Sequence, residues 1–258
     1  MTNQLLLLLR VSKPQYNATL AENYKLYMNN QLAYKNDGLT KGQYDEKEGL
    51  IAGSNVRVRY STDDRKTWIE LPGIKSIHKN NHAYIFCMYG VIYNPANYNK
   101  VTNTYHHHIP WEYIKDFWKD DPLELLIIKN TASFMKAFED AANNEGKRWA
   151  HGKVQYDFEE KIEDAIYLDC AMKDQFESVF HKRRELYEVQ NEVRLAVINP
   201  EDPPYFELQL NPKTPFMCER MTLAKGMGVQ IELTNLEFNA EKTIPIRFAS
   251  RINYYLEK

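Results

Sequence analysis

The sequence predicts an α+β fold in which a mixed, mostly antiparallel and split sheet is flanked by helices. Segments with strand patterns outnumber helical ones, about eight to ten against three or four, and cluster toward the C-terminus instead of alternating with helices. Aromatic residues make up 13% of the chain, with 18 tyrosines, which is typical of β-rich folds. No stretch has the composition of a linker, so we expect a single α+β domain over residues 1–258.

Four apolar runs predict the interior strands of this sheet. Each run is almost continuously apolar, as expected of a strand that is covered on both faces. The first of them carries Arg10 near its end. The runs are Leu5 to Val11, Ala83 to Tyr93, Leu123 to Ile128 and Val193 to Ile198.

Three segments have helical signals. Apolar residues at helical spacing predict an amphipathic helix over residues 17–29. Pro110 suits the first turn of a second, short helix. Asn130 is placed to cap a third helix, which we expect to end at Gly146.

Shorter β segments complete the fold. Residues 56–60 and 67–71 alternate in polarity on either side of a turn, which predicts a hairpin. Toward the C-terminus, residues 206–210, 229–233 and 244–248 have strand patterns.

Charge and cysteine content exclude several classes of protein. Lysine and arginine total 33 and aspartate and glutamate 35, a net charge of -2, so nucleic-acid binding is not indicated. The three scattered cysteines argue against a disulfide framework or a zinc ribbon. No apolar run reaches the length of a membrane span. We therefore expect a soluble, cytoplasmic protein without a membrane partner.

Two groups of residues could bind metal. His106, His107 and His108 are consecutive, so their side chains diverge, and we expect loop residues without a structural metal. Asp45 and the neighbouring Glu46 and Glu48 could gather a divalent ion for a hydrolase, although surface charge is the simpler interpretation of a glycine-rich polar loop.

The segment before the fourth apolar run is the most informative one for function. If residues 189–197 are extended, Gln190, Glu192 and Arg194 project from one face. Three polar residues on one face of a central strand need partners or a cavity that uses them. A solvated edge strand explains the same pattern equally well.

This segment resembles a group of uncharacterised bacterial and phage proteins, the DUF2971-like proteins. The shared pattern begins with Lys-Arg and an aromatic residue. It continues with Glu or Gln, then Glu, then Arg, each separated from the next by one residue, and it ends here at Arg194. The Asp45 to Gly49 loop, the strand from Ile85 to Tyr89 and the strand-helix segment from Leu123 to Phe134 are also similar.

Arg10 on a first strand followed by Gln190-x-Glu192 is similar to the R-S-E layout of ADP-ribosyltransferases. At the place of that family's Ser-Thr-Ser motif, this chain has Cys87-Met88-Tyr89, where only Tyr89 could substitute. The resemblance implies that Arg10 holds the NAD phosphates, assisted by Arg194 in binding the cofactor.

The same resemblance implies the chemical roles of the other residues. Glu192 would bond a ribose hydroxyl and stabilise the oxocarbenium-like ribose formed as nicotinamide leaves. Gln190 would orient the acceptor, and Tyr89 and Tyr187 would stack on nicotinamide.

These observations predict an NAD-handling protein of the ADP-ribosyltransferase type, acting on a nucleotide or protein acceptor, in phage–host conflict as the resemblance implies. The competing class is a non-catalytic binding or sensor protein on the same fold. A metal-dependent hydrolase is the third interpretation.

Overall fold

The structure of the protein is a computed structural model. It describes residues 5–35, 50–52, 58–60, 67, 69–71, 77–78, 82–118, 122–158, 176–183, 191–201, 203–213, 215–234, 237–238, 245–247 and 252–257. The helices within these residues are α1 (Pro14–Asn23), α2 (Trp111–Lys115) and α3 (Thr131–Asn144). Single 3-10 turns span Gln31–Lys35, Pro95–Asn97 and Glu177–Phe180.

The strands of the described residues are many and mostly short. In chain order they are β1 (Leu5–Ser12), β2 (Lys25–Asn30), β3 (Leu50–Ala52), β4 (Val58–Tyr60), β5 (Ile69–Leu71), β6 (Ile77–His78), β7 (Ala83–Ile92), β8 (Tyr98–Asn99), β9 (Thr104–Ile109), β10 (Glu124–Ile128), β11 (Arg148–Lys153), β12 (Gln155–Phe158), β13 (His181–Arg183), β14 (Glu192–Ile198), β15 (Tyr205–Gln209), β16 (Cys218–Thr222), β17 (Gly228–Thr234), β18 (Glu237–Phe238), β19 (Pro245–Arg247) and β20 (Ile252–Glu257).

The predicted α+β class is confirmed. An eight-stranded main sheet has the order β11-β14-β7-β1-β10-β16, with β2 joining β7 and β15 joining β2, and its strand pairs are antiparallel. The four apolar runs form β1, β7, β10 and β14, each of which has strands on both sides, as predicted. A smaller sheet of order β20-β17-β9-β8 accompanies it.

The main sheet has two covered faces. On the face that we call the helix face, side chains of β1, β7 and β14 form one core with Phe134 and Phe138 of α3 and Leu20 of α1. On the opposite face, the sandwich face, side chains of β1 and β10 pack against β9 and β17 of the smaller sheet. Every second residue of a main-sheet strand therefore belongs to the same layer.

The main sheet splits along one edge of β7. Leu9 of β1 pairs with Tyr89, whereas Asn29 of β2 pairs with Ile85, so β1 and β2 diverge beside residues 86–88. This arrangement confirms the predicted split sheet. The C-terminal half of β1, which carries Arg10, borders this divergence.

The helix predicted over residues 17–29 is wrong in its second half. The first helix is Pro14–Asn23, and Tyr24 ends it in the left-handed region at φ 52. Residues 25–30 form β2 because Leu26 and Met28, two residues apart, both enter the core while the strand pairs with β15. Spacing of apolar residues alone could not distinguish the two patterns in so short a segment.

The other local signals lead to the expected elements. Asn130 Oδ1 accepts a hydrogen bond from the Ser133 N–H at 3.0 Å and caps α3, and Gly146 follows the helix end at φ 62. Pro110 directly precedes α2. The predicted hairpin is present as the pair β4 and β5, although its turn lies outside the described residues. Within the part of the chain that the structure describes, no helix is long and apolar enough to cross a membrane.

Candidate functional site

The start of β14 is fixed by contacts with β7. The Gly90 N–H donates to the Asn191 carbonyl at 2.9 Å, and the Asn191 side-chain amide donates to the Gly90 carbonyl. Asn191 has φ 40, a conformation that asparagine tolerates better than most residues. A side chain at position 90 would be 2.7 Å from Val193 Cγ2, so glycine allows this close approach. These contacts set Glu192 opposite Tyr89.

Glu192 and Arg194 project from the same face of β14, as the alternation predicts. Val193 and Leu195 enter the helix-face core, and Glu192 and Arg194 lie on the opposite side. All seven residues of β14 are buried between β11 and β7, so the alternative of a solvated edge strand is wrong. Gln190, the third member of the predicted set, lies outside the described residues.

Glu192 and Arg194 form a buried ion pair. Arg194 Nε donates to Glu192 Oε1 at 2.7 Å, and the two side chains are 1% and 7% exposed. Arg194 Nη1 also donates to the Val179 carbonyl at 2.5 Å, which ties the 3-10 turn over Glu177–Phe180 to β14. The guanidinium of Arg194 is thus engaged by groups of the protein itself.

Three tyrosines surround Glu192, and we call Tyr89, Tyr113 and Tyr156 the tyrosine cluster. The Glu192 N–H donates to Tyr156 Oη at 3.0 Å. The ring of Tyr113 meets that of Tyr89 edge to face, with centroids 5.2 Å apart. Burial raises the pKa of Tyr89 to about 12. Burial also raises the pKa of Tyr113, and the neighbouring Tyr89 raises it further. The pKa of Tyr156 is raised by burial and then by the nearby Glu192. The three hydroxyls therefore keep their protons at neutral pH.

His107 closes this cluster from the smaller sheet. The prediction that His106, His107 and His108 are loop residues is wrong, because they lie in β9 and pair with β17. Their side chains do diverge: His107 Nε2 is 3.0 Å from Tyr89 Oη, whereas His106 contacts Glu232 across the strand pair. Burial, with a smaller effect of His108, lowers the pKa of His107 to about 4. This imidazole is neutral at physiological pH.

Arg10 lies at the split of the main sheet. In β1 it pairs with Leu126 of β10, a residue of the helix-face core, so its backbone position belongs to the face opposite Glu192. Its guanidinium carbon lies 4.6 Å from the centroid of the Phe86 ring, beside the point where β1 and β2 diverge. Arg10 and Glu192 therefore do not form an ion pair with each other.

The guanidinium of Arg10 has few partners. Among the described residues it makes one hydrogen bond, from Nη1 to Asn17 Oδ1 at 3.3 Å, and no ion pair. Burial lowers the pKa of Arg10, and the neighbouring Tyr34, Cys87 and Tyr16 raise it, in that order. A guanidinium carries five N–H donors, so most of the donors of Arg10 are unused by these residues.

Tyr34 lies within electrostatic range of both Arg10 and Arg194. Burial raises its pKa well above the usual value, Cys87 and Glu192 raise it further, and Asn29 and Arg194 lower it. Tyr34 and Cys87 both pack against the cluster formed by Phe176 and Val179 on the sandwich face. No sequence signal marked Tyr34, because the segment before it was interpreted as a helix.

The remaining predicted residues cannot be placed. Asp45, Glu46, Glu48 and Tyr187 lie outside the described residues. Within the ranges that the structure does describe, no three histidine, cysteine, aspartate or glutamate residues form a group that could hold a metal ion.

The arrangement has two chemically distinct ends. At the Glu192 end, the ionised groups are paired with each other and the hydroxyls are protonated, so the cluster offers hydrogen bonds and aromatic surface. At the Arg10 end, a guanidinium that makes one hydrogen bond within the described part of the chain lies beside the split. No protein-family model, curated protein or solved structure matches the chain, so the resemblances noted above stay predictions.

Proposed function

We propose that this protein binds a nucleotide at the split of its main sheet, with Arg10 holding the phosphates. NAD is the ligand that the resemblance to ADP-ribosyltransferases implies. The observation that carries the proposal is the partly buried guanidinium of Arg10, which makes one hydrogen bond of 3.3 Å among the described residues.

A buried charge that lacks hydrogen-bond partners and an opposite charge is unfavourable in free energy. A guanidinium removed from water loses hydration that hydrogen bonds and opposite charge must replace. Phe86 replaces part of it through a cation–π contact. The planar fork of an arginine matches the oxygens of a phosphate, which would supply both the hydrogen bonds and the charge.

Binding without turnover is the function that the geometry supports best. In the ADP-ribosyltransferase layout, the arginine and the glutamate act on one NAD molecule, but here Arg10 and Glu192 start from opposite faces of the sheet. The carboxylate of Glu192 is also engaged by Arg194 at 2.7 Å. A ligand-binding or sensor protein needs neither group to be free for chemistry.

ADP-ribosyl transfer is the second candidate, and one observation favours it. Glu192 lies directly opposite Tyr89, so a carboxylate and an aromatic ring are neighbours on one face, as ribose and nicotinamide recognition would need. Transfer to an acceptor would require Glu192 to exchange its contact with Arg194 for one with ribose.

Thermal unfolding with and without ligand tests the binding proposal. We expect NAD to raise the melting temperature of the wild-type protein and to leave that of Arg10→Met unchanged. Lys136→Met is the matched control, because it removes a positive charge that is 63% exposed on α3, and its response to NAD should equal that of the wild type. No shift with NAD or ADP, or an equal shift in Arg10→Met, would contradict the proposal; stabilisation only by a divalent metal would favour the hydrolase.

A nicotinamide-release assay separates binding from transfer. Binding without turnover predicts no release by the wild-type protein. If the wild type releases nicotinamide and folded Glu192→Gln is slower by roughly two or three decades, the transfer reaction is supported instead.

A further inference from the structure

A group of polar side chains lies on the outer face of the smaller sheet, away from the main sheet. Tyr105 and Ile109 of β9 are buried in the core between the two sheets. Thr104 and His106 alternate with them and belong to the opposite, outer face. Glu232 of β17 pairs directly with His106 and shares that face. These three polar side chains are therefore separate from the nucleotide site proposed above.

The three side chains form a continuous chain of contacts. Thr104 Oγ1 lies 3.2 Å from His106 Nε2, and His106 Nδ1 lies 3.8 Å from Glu232 Oε2. With its proton on Nδ1, toward the carboxylate, the imidazole accepts the proton of the Thr104 hydroxyl at Nε2. A hydroxyl, an imidazole and a carboxylate in this order form the arrangement in which a base activates a nucleophile.

Asn99 of β8 brings hydrogen-bond donors beside this hydroxyl. It pairs directly with Thr104, so the two side chains are neighbours on the outer face. Asn99 Oδ1 accepts hydrogen bonds from the N–H of Val101 at 2.9 Å and from the N–H of Thr102 at 3.3 Å. These two bonds fix the orientation of the amide, and its Nδ2 hydrogens have no acceptor among the described residues. Such fixed donors stabilise the negative oxygen that forms when a hydroxyl attacks a carbonyl group.

An open cavity of about 540 Å³ lies beside the imidazole and the amide. Most of the side chains around it are polar, and it opens to solvent, which suits a small polar substrate better than a long hydrocarbon chain. The cavity is lined by Ala96, Asn97, Tyr98, Asn99, Lys100 and His106.

We propose that this outer face is a second site, which hydrolyses short polar esters with Thr104 as the nucleophile. His106 takes the hydroxyl proton as Thr104 Oγ1 bonds to the ester carbonyl carbon, and it gives the proton to the leaving alcohol as the ester C–O bond breaks. Water then attacks the acyl-threonine in the same way, which releases the carboxylic acid and restores the hydroxyl. Asn99 donates to the carbonyl oxygen, and Glu232 is a positioning residue that holds the imidazole.

Hydrolysis of p-nitrophenyl acetate tests the proposal. We expect the wild type to release p-nitrophenolate over many turnovers, and Thr104→Val and His106→Gln to be slower by about 100-fold. Thr104→Ser keeps the hydroxyl and should keep the activity. His151→Gln is the matched control and should equal the wild type, because His151 is also partly buried beside a glutamate, but its Nε2 faces Glu139 Oε1 at 3.0 Å instead of a hydroxyl.

Two further variants test the roles of the neighbouring side chains. Asn99→Asp keeps the oxygen that accepts from the two backbone N–H groups but has no N–H of its own, so we expect kcat to fall by about 100-fold at an unchanged melting temperature. Glu232→Gln should lower kcat by about fivefold and leave KM unchanged, since an ion pair in contact with water has an effect of this order.

Mass spectrometry of the acid-quenched reaction identifies the acylated residue. An acetyl group on Thr104 of the wild type, lost in His106→Gln, would support the proposal. Equal rates in the wild type and Thr104→Val, or acetylation of lysines such as Lys100 alone, would overturn it. If Thr104→Val does not fold, the rates of His106→Gln and Asn99→Asp decide the question, and wild-type rates in both would overturn the proposal.

Discussion

The two arginines near the centre of the main sheet, Arg194 and Arg10, differ in how the protein satisfies them. Arg194 is 1% exposed and donates to Glu192 and to the Val179 carbonyl. Within the described ranges, Arg10 stacks on Phe86 and donates one hydrogen bond, at 3.3 Å. Both lie in strands that the sequence marks as interior, yet only one of them has a carboxylate partner among the described residues.

The difference indicates which arginine serves the fold and which is available for a ligand. Burial of a charge is tolerated when an opposite charge and hydrogen bonds replace water. Arg194 meets this condition within the protein, so its removal should damage stability. Arg10 does not meet it through any residue that the structure describes, so its removal should damage binding while the fold persists.

The largest effect is expected at Arg194. We expect Arg194→Met to lower the free energy of unfolding by about 3–5 kcal/mol, because Glu192 then stays buried without its counter-ion. Urea denaturation measures this loss. The double variant Arg194→Met, Glu192→Leu should recover most of it, since an apolar pair carries no buried charge. A loss below about 1 kcal/mol in the single variant would mean that the pair is not structural.

The next largest effect concerns the pH dependence of the Glu192 end. The pKa of His107 is lowered in the folded protein to about 4, whereas the unfolded chain titrates near 6.5. As the pH falls from 6.5 toward 4, the unfolded state binds a proton that the folded state does not, so stability decreases in this window. We expect a loss of about 2–3 kcal/mol between pH 7 and 4.5 from this group.

Urea denaturation of wild type and His107→Gln at pH 7 and 4.5 measures the contribution. The glutamine cannot be protonated and can still bond Tyr89 Oη. An equal loss of stability in both proteins would show that other groups cause the acid sensitivity.

A smaller effect is expected at Asn17, which joins Arg10 to the fold. Asn17 is fully buried and its amide donates to the Glu124 carbonyl at 3.0 Å. We expect Asn17→Ala to cost about 1–2 kcal/mol, mainly because this buried carbonyl loses its partner. In a double-mutant cycle with Arg10→Met, the coupling energy should stay below about 0.5 kcal/mol. Strong coupling would make Arg10 part of the structural network.

The smallest effect on stability is expected at Arg10 itself. We expect Arg10→Met to change the free energy of unfolding by less than about 1 kcal/mol in either direction, since the lost cation–π contact and hydrogen bond are offset by the relief of a desolvated charge. Chemical denaturation without ligand measures this. A loss as large as that of Arg194→Met would end the distinction between the two arginines.

Much of the fold could be predicted from the amino-acid sequence. The four continuous apolar runs became interior strands because strands covered on both faces need apolar residues at every position. Asn130 identified the start of α3, since its side chain can satisfy a helix N–H that has no backbone acceptor. The alternation of residues in this strand also predicted that Glu192 and Arg194 project from the same face, because successive side chains of a strand point to opposite sides.

Other features depended on contacts between distant segments. Residues 25–30 became a strand because β15, about 180 positions later, supplies the hydrogen bonds of their ladder. His106 to His108 became part of β9 through pairing with β17. Tyr34 entered the site only because the turn that follows β2 packs beside β7.

The sequence by itself determined the fold class and the interior strands. It also showed that two of these strands carry charged residues, Arg10 in β1 and Glu192 with Arg194 in β14. Only the tertiary structure decided that Arg194 is paired with Glu192 and that Arg10, beside the split, makes one hydrogen bond to the residues that the structure describes. Local alternation fixes the direction of a side chain, but its partners depend on which strands lie next to each other. That neighbourhood is set by packing of the whole chain, and the sequence of one strand does not contain it.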